Sequence, residues 1–161
     1  MKIVKPFKEY EVKKVNSKCY QLVKIIEEFP SPEEAQEALA NLLERKSLES
    51  RIQNFNYVWQ DILSSIEDCN TIETLTSKKP NVIENVAPEG LLVTTDSSSS
   101  QLVKKEWIKN AWEALVKKGS ITAEDIPGPA RIRSSFIMAL LAGLEYVGAE
   151  NNPNKIYISI K

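Results

Sequence analysis

Apolar residues recur at helical spacing through much of the first half of the chain. Val15, Cys19, Leu22, Ile26 and Phe29 alternate steps of four and three, which predicts a helix over residues 16–29 that Pro30 ends. Ser31-Pro-Glu-Glu opens a second helix. Ser31 can cap it, Pro32 suits the first helical position, and Glu34 stands where a capping box wants a carboxylate. Ala35, Ala38, Leu39, Leu42 and Leu43 then face one way, and Ser47 either breaks the helix or lies within it. Leu48, Ile52, Phe55, Trp59, Ile62 and Ile66 continue the four-three spacing in the longest regular pattern of the chain. That pattern suits an antiparallel bundle closed within one chain, or a seam between two subunits. Large aromatics at Phe55 and Trp59 favour the bundle. Residues 1–14 read as a short strand or extended arm, with lysines suited to a solvated edge.

From residue 68 to 88 the pattern lapses into Thr, Ser, Asn, Lys and Pro, with Lys78-Lys-Pro-Asn at its centre. This stretch is the expected boundary between a helical self-association module, residues 1–77, and a second module, residues 78–161. Val82, Ile83 and Val86 suggest a short strand. Gly90-Leu-Leu-Val-Thr-Thr is a better one, opened by a turn at Pro88-Glu-Gly. Asp96 and four serines read as a loop, without the glycine-lysine pattern of a phosphate-binding P-loop.

Helical spacing returns over residues 102–118, where Val103, Trp107, Ile108, Ala111, Trp112, Leu115 and Val116 form one face. Gly119 stops this helix. Ser120-Ile-Thr is β-compatible, and Thr122 with Asp125 can cap a helix of about one turn. Pro127-Gly-Pro129 breaks it. The next predicted helix, residues 130–145, puts Ile132, Phe136, Ala139, Leu140, Gly143 and Leu144 on its core side, widened by Ile137 and Leu141. Arg131, Ser134, Ser135, Met138 and Ala142 fall opposite. Two strands follow, around the turn Asn151-Asn-Pro-Asn, with Ile156, Ile158 and Ile160 inward and Lys155 outward.

This order of elements resembles the winged helix-turn-helix superfamily of DNA-binding proteins over residues 101–161, about a third of the chain. The resemblance implies a three-helix core with a β-wing, often in a dimeric regulator. It implies a recognition helix begun by Arg131, Arg133, Ser134 and Ser135, and a wing carrying Lys155. The slim face that includes Met138 suits a DNA major groove, with Arg133 toward a phosphate. Lys104 and Lys105 could steady the complex on further phosphates. The expected fold class is therefore mainly α with a small β component, an N-terminal helical bundle followed by a winged helix-turn-helix domain.

Composition narrows the chemistry. The chain has 161 residues and no histidine, which removes the commonest general base and metal ligand. Cys19 and Cys69 stand alone, so neither a zinc site nor a disulfide framework is indicated. Residues 1–77 carry 10 basic and 13 acidic side chains, and residues 78–161 carry 11 and 9, a balance that creates no strong nucleic-acid field. No apolar run is long enough to span a bilayer, and the N-terminus lacks the apolar core of a signal peptide.

The expected protein is thus a cytoplasmic DNA-binding regulator, or an accessory factor of a DNA-processing system. It would bind double-stranded DNA, associate as a homodimer, and use no cofactor, metal or catalytic group. The alternative is a protein-interaction adaptor in which the same modules bind partner proteins. An enzyme comes third and would need a carboxylate metal site, for instance Glu124 and Asp125 with Glu89 or Asp96.

Overall fold

The structure is a computed structural model. It describes residues 10–16, 19–24, 30–152 and 154–160, the first two segments as backbone alone. Its contacts divide the chain into two compact units, Met1–Glu44 and Arg45–Lys161.

In the first unit, β1 (Tyr10–Asn16) and β2 (Cys19–Lys24) form an antiparallel hairpin, from Tyr10 opposite Lys24 to Asn16 opposite Cys19. The expected helix over residues 16–29 is therefore corrected, because Cys19–Lys24 is a strand. A short apolar run fits either period. Tyr20 and Val23 favour a pleated surface, and an adjacent strand is there to pair with. Residues 25–29 and 1–9 lie outside the described residues. The tail of the expected arm, from Tyr10, is strand.

α1 (Pro32–Ile52) begins where Ser31 predicts, with Ser31 Oγ accepting from the Glu34 N–H at 3.2 Å. It runs through Ser47. The chain breaks instead at Gln53-Asn54, where the Asn54 side chain accepts from the Asn56 N–H at 3.1 Å and caps α2 (Phe55–Asp68). The long four-three pattern thus spans two helices. Within α2 it is faithful: Phe55, Val58, Trp59, Ile62 and Ile66 are buried.

Four antiparallel strands follow in sequence order: β3 (Thr71–Glu73), β4 (Pro80–Ala87), β5 (Gly90–Thr95) and β6 (Ser98–Lys104). Three of the four serines expected as a loop, Ser98 to Ser100, begin β6, and the turn is only Asp96-Ser97. α3 (Lys105–Lys118) consequently starts three residues later than its pattern suggested. Gly119 ends it at φ 77°, a left-handed conformation that glycine adopts without steric cost.

β7 (Ser120–Thr122) leads into a 3-10 turn at Ala123–Asp125 with the expected capping box between Thr122 and Asp125. A second 3-10 segment, Gly128–Arg133, precedes α4 (Ser134–Ala142). β8 (Val147–Asn151) and β9 (Asn154–Ile158) form a hairpin, and β7 joins them in the order β7-β9-β8.

The expected fold class does not hold. The arrangement is mixed α+β, not a helical bundle followed by a winged helix-turn-helix domain. α2, the four-stranded sheet, α3, α4 and the three-stranded sheet contribute to one buried cluster, from Ile52 and Ile62 through Ile83, Leu91 and Val103 to Trp112, Leu140 and Ile156. The boundary expected at residues 77/78 falls inside this unit. A polar stretch there reads as a linker, but it folds into β3 and β4 with Ile83 in the core.

Candidate functional site: a lysine-lined groove

An open groove of about 1240 Å³ runs beside α3 within the second unit. Its basic wall comes from the end of β6 and from α3: Lys104, Lys105, Lys109 and Lys117. The last three fall at multiples of four residues, so they follow one gently turning stripe of the helix. Gln53, Asn54 and Asn56 at the α1–α2 junction supply amides. The β4–β5 turn supplies Pro88 and Glu89.

Two contacts hold these parts together. Trp112 Nε1 donates to the Ile52 carbonyl at 2.9 Å, fastening the α1–α2 junction to α3. The Lys105 N–H donates to the Glu89 carbonyl at 2.7 Å, fastening the start of α3 to the β4–β5 turn. Gly90 makes that approach possible. A Cβ there would lie 2.1 Å from the Val103 carbonyl oxygen, and φ is 154°.

The lysines are supported by aromatic rings. Lys105 Nζ lies 5.0 Å from the Trp59 ring centroid and Lys104 Nζ 5.8 Å from that of Trp107. Both distances lie within the range of cation–π attraction. Lys104 and Lys105 also sit at the N-cap and first position of α3, with no side-chain cap. Cations there oppose the helix dipole. Carboxylates moderate the groove: Glu89, Glu106 and Glu113 line it too, and Glu113 lies 3.7 Å from Lys109.

Of the residues singled out from sequence, the groove gathers Lys104 and Lys105 and, apart from Glu89, its lining includes none of the other candidate site residues. Arg131 and Ser135 are exposed. Arg133 is half-buried and donates to Gln101 Oε1. Lys155 is half-buried and pairs with Glu150 at 3.1 Å. Ser134 is buried, and Met138 has no exposure at all.

The face expected to enter DNA is therefore corrected at Ser134 and Met138. Conversely, Ile132, expected inside, is 87% exposed. The cause is the 3-10 segment. Its residues advance about 120° each rather than about 100°, so a wheel drawn as one α-helix from residue 130 loses phase before α4 begins. α4 itself is buried nearly all round, with Phe136 to Leu141 inside. Sequence reasoning missed Lys109, Lys117 and the junction amides. The available signal was the spacing of Lys105, Lys109 and Lys117 by four and then eight residues.

The carboxylate pair considered for an enzyme has a structural member. Asp125 accepts from the Thr122 N–H at 2.8 Å and pairs with Lys118. The Lys118 ammonium, with the Thr122 N–H, pulls its carboxyl down to about 2. Among the described residues, no group of three or more His, Cys, Asp or Glu side chains is placed to hold a metal ion. Among the same residues, no helix is long and apolar enough to cross a membrane. Comparison of the chain with protein families, characterised proteins and solved structures finds no match.

Proposed function

We propose that the protein is a non-catalytic DNA-binding module that takes the phosphate backbone of double-stranded DNA along the groove beside α3. The observation that carries this reading is the convergence of Lys104, Lys105, Lys109 and Lys117 on one concave surface. Lysine is a point-charge phosphate ligand. A groove of this kind binds with strong salt dependence and little sequence preference. The buried state of α4 argues for backbone contact over reading of bases by that helix. The setting, a regulator or an accessory factor in the cytoplasm, belongs to the same proposal.

The protein-interaction adaptor is the second reading. In that reading Ile132, 87% exposed between Arg131 and Arg133, is the apolar side chain that a partner would cover.

The two readings separate in a titration of random-sequence duplex DNA at several salt concentrations. Wild type is expected to bind with a steep inverse dependence on salt. The Lys104→Ala/Lys105→Ala/Lys109→Ala variant should bind weakly, with the log–log slope reduced by about 2 to 3. Absence of binding at low salt, or an unchanged slope in the variant, overturns the groove reading. An Arg131→Ala variant that loses binding while the lysine variant retains it would return the contact to the start of α4.

A further inference from the structure

We infer that Ile132 is a wedge that enters a base step of duplex DNA from the minor groove and bends the duplex there, an inference that rests on the DNA-binding reading above. Six large apolar side chains are exposed among the described residues, and Ile132, at 87%, is more open than the next, Leu43 at 59%. It is also the one of the six with a cation on each side, Arg131 and Arg133. Its mount is fixed at both ends. Ala130 and Ser134 are buried, and Arg133 donates to Gln101 Oε1 of β6. The 3-10 pitch aligns side chains three residues apart, so exposed Pro129 stands behind Ile132 on one edge. A β-branched side chain is stiff at χ1, so Ile132 projects from that edge with little freedom left to lose.

Chemistry selects the occupant. The apolar edge is narrow and bracketed by cations, whereas protein-contact surfaces present wider apolar patches. A stacked base step offers the complement, an apolar face between two anionic backbones. Proteins that bend DNA from the minor groove set isoleucine or proline between base pairs, and arginine suits a narrow minor groove. Arg131, exposed beside the wedge, takes that place. Unstacking a step costs about as much as burying one isoleucine side chain returns, so insertion goes to the steps that unstack most readily, TA and CA/TG. The segment is fastened to the strand that ends at the groove: Gln101 precedes Leu102, and Leu102 and Lys104 line the groove. The wedge thus adds a bend to backbone binding without reading base edges.

Duplexes of about 20 to 30 base pairs test this with the full chain. Dyes at the two ends report bending by energy transfer, and a fluorescent adenine analogue at a central TA step brightens when it unstacks. Wild type should bend the duplex by about 20 to 90° and brighten the analogue. Ile132→Ala should leave the duplex straight and the analogue dark. It should still bind within about tenfold of wild type and with the same salt slope, since no charge is altered. Ile132→Leu should bend the duplex as wild type does. Circular dichroism establishes that both variants are folded. Salt-dependent binding by a wild type that leaves the duplex straight overturns the wedge and leaves the groove reading standing. So does bending that survives Ile132→Ala. A wild type that binds no duplex at low salt overturns the groove reading and the wedge with it.

Discussion

The Tyr146 hydroxyl donates to Asp61 Oδ2 at 2.8 Å, while Asp61 Oδ1 takes Arg51 at 2.7 Å. One carboxylate thus joins the last turn of α1, the middle of α2 and the residue before β8. Tyr146 also packs edge-on against Trp112, their centroids 5.9 Å apart. Burial, and then the hydrogen bond to Asp61, push the phenol above its ordinary range, so it stays a donor at any physiological pH. Tyr146→Phe keeps the ring and removes the donor, and should cost about 1 kcal/mol in denaturant unfolding. Asp61→Ala breaks both contacts and should cost more. The double variant should cost less than the two single losses added, because the two side chains share one hydrogen bond. Strict additivity would mean that they do not interact.

Gly90 meets a harder constraint. Its missing side chain lets β5 start against the Val103 carbonyl and the Lys105 amide, one residue after Glu89 of the groove. Gly90→Ala drives a methyl into backbone, which cannot rotate away as a flexible side chain can. A loss of about 3 kcal/mol or more is expected, read from the urea midpoint. Gly119→Ala is the control. It also has positive φ but nothing within 4 Å, so only the backbone strain remains, about 1 kcal/mol. Equal losses at the two positions would contradict the close approach at Gly90.

Asp125 gives stability a pH dependence at the acid end. Its carboxyl titrates at about 2 in the folded protein against an ordinary 3.8. A depressed carboxyl stabilises the fold above its unfolded value, and the contribution disappears as pH falls through the folded value. Wild type should therefore exceed Asp125→Asn in stability by a constant margin above about pH 5, and the margin should close toward about pH 2. Because Lys118 is the first cause, Lys118→Ala should shrink the same margin. A difference between wild type and Asp125→Asn that does not change with pH would show that the carboxylate is not held in this way.

Legibility followed how local each cause was. Ser31 at the start of α1, Gly119 at the end of α3 and the Thr122–Asp125 box all act within a few residues and could be read directly. The burial pattern of α2 was equally plain. β2 and β6 were not, because pairing decides them. Nothing within Ser97-Ser-Ser-Ser marks a strand until β5 lies beside it. The groove depends on tertiary placement even more. Lys105 and Lys109 are adjacent on one helix, but Asn54 and Glu89 reach them only through the fold. Helix α4 departs from its pattern for a local reason. Pro127-Gly-Pro129 marks a break, but the six residues from Gly128 take a 3-10 pitch that α-helical spacing does not anticipate.

That pitch difference has a direct consequence for stability and for the choice of surface. Met138 has no exposure and Ile132 is 87% exposed, the reverse of a single α-helix over residues 130–145. Met138→Ala should cost about 2 to 5 kcal/mol as a cavity opens in the core. Ile132→Ser should change stability by no more than about 0.5 kcal/mol, since it removes little that is buried. Paired urea titrations would read both. A silent Met138→Ala with a damaging Ile132→Ser would reinstate the exposed serine–methionine face and the DNA-reading helix with it. With Met138 inside and Ile132 outside, Arg131, Ile132 and Ser135 are the exposed side chains of residues 130–138.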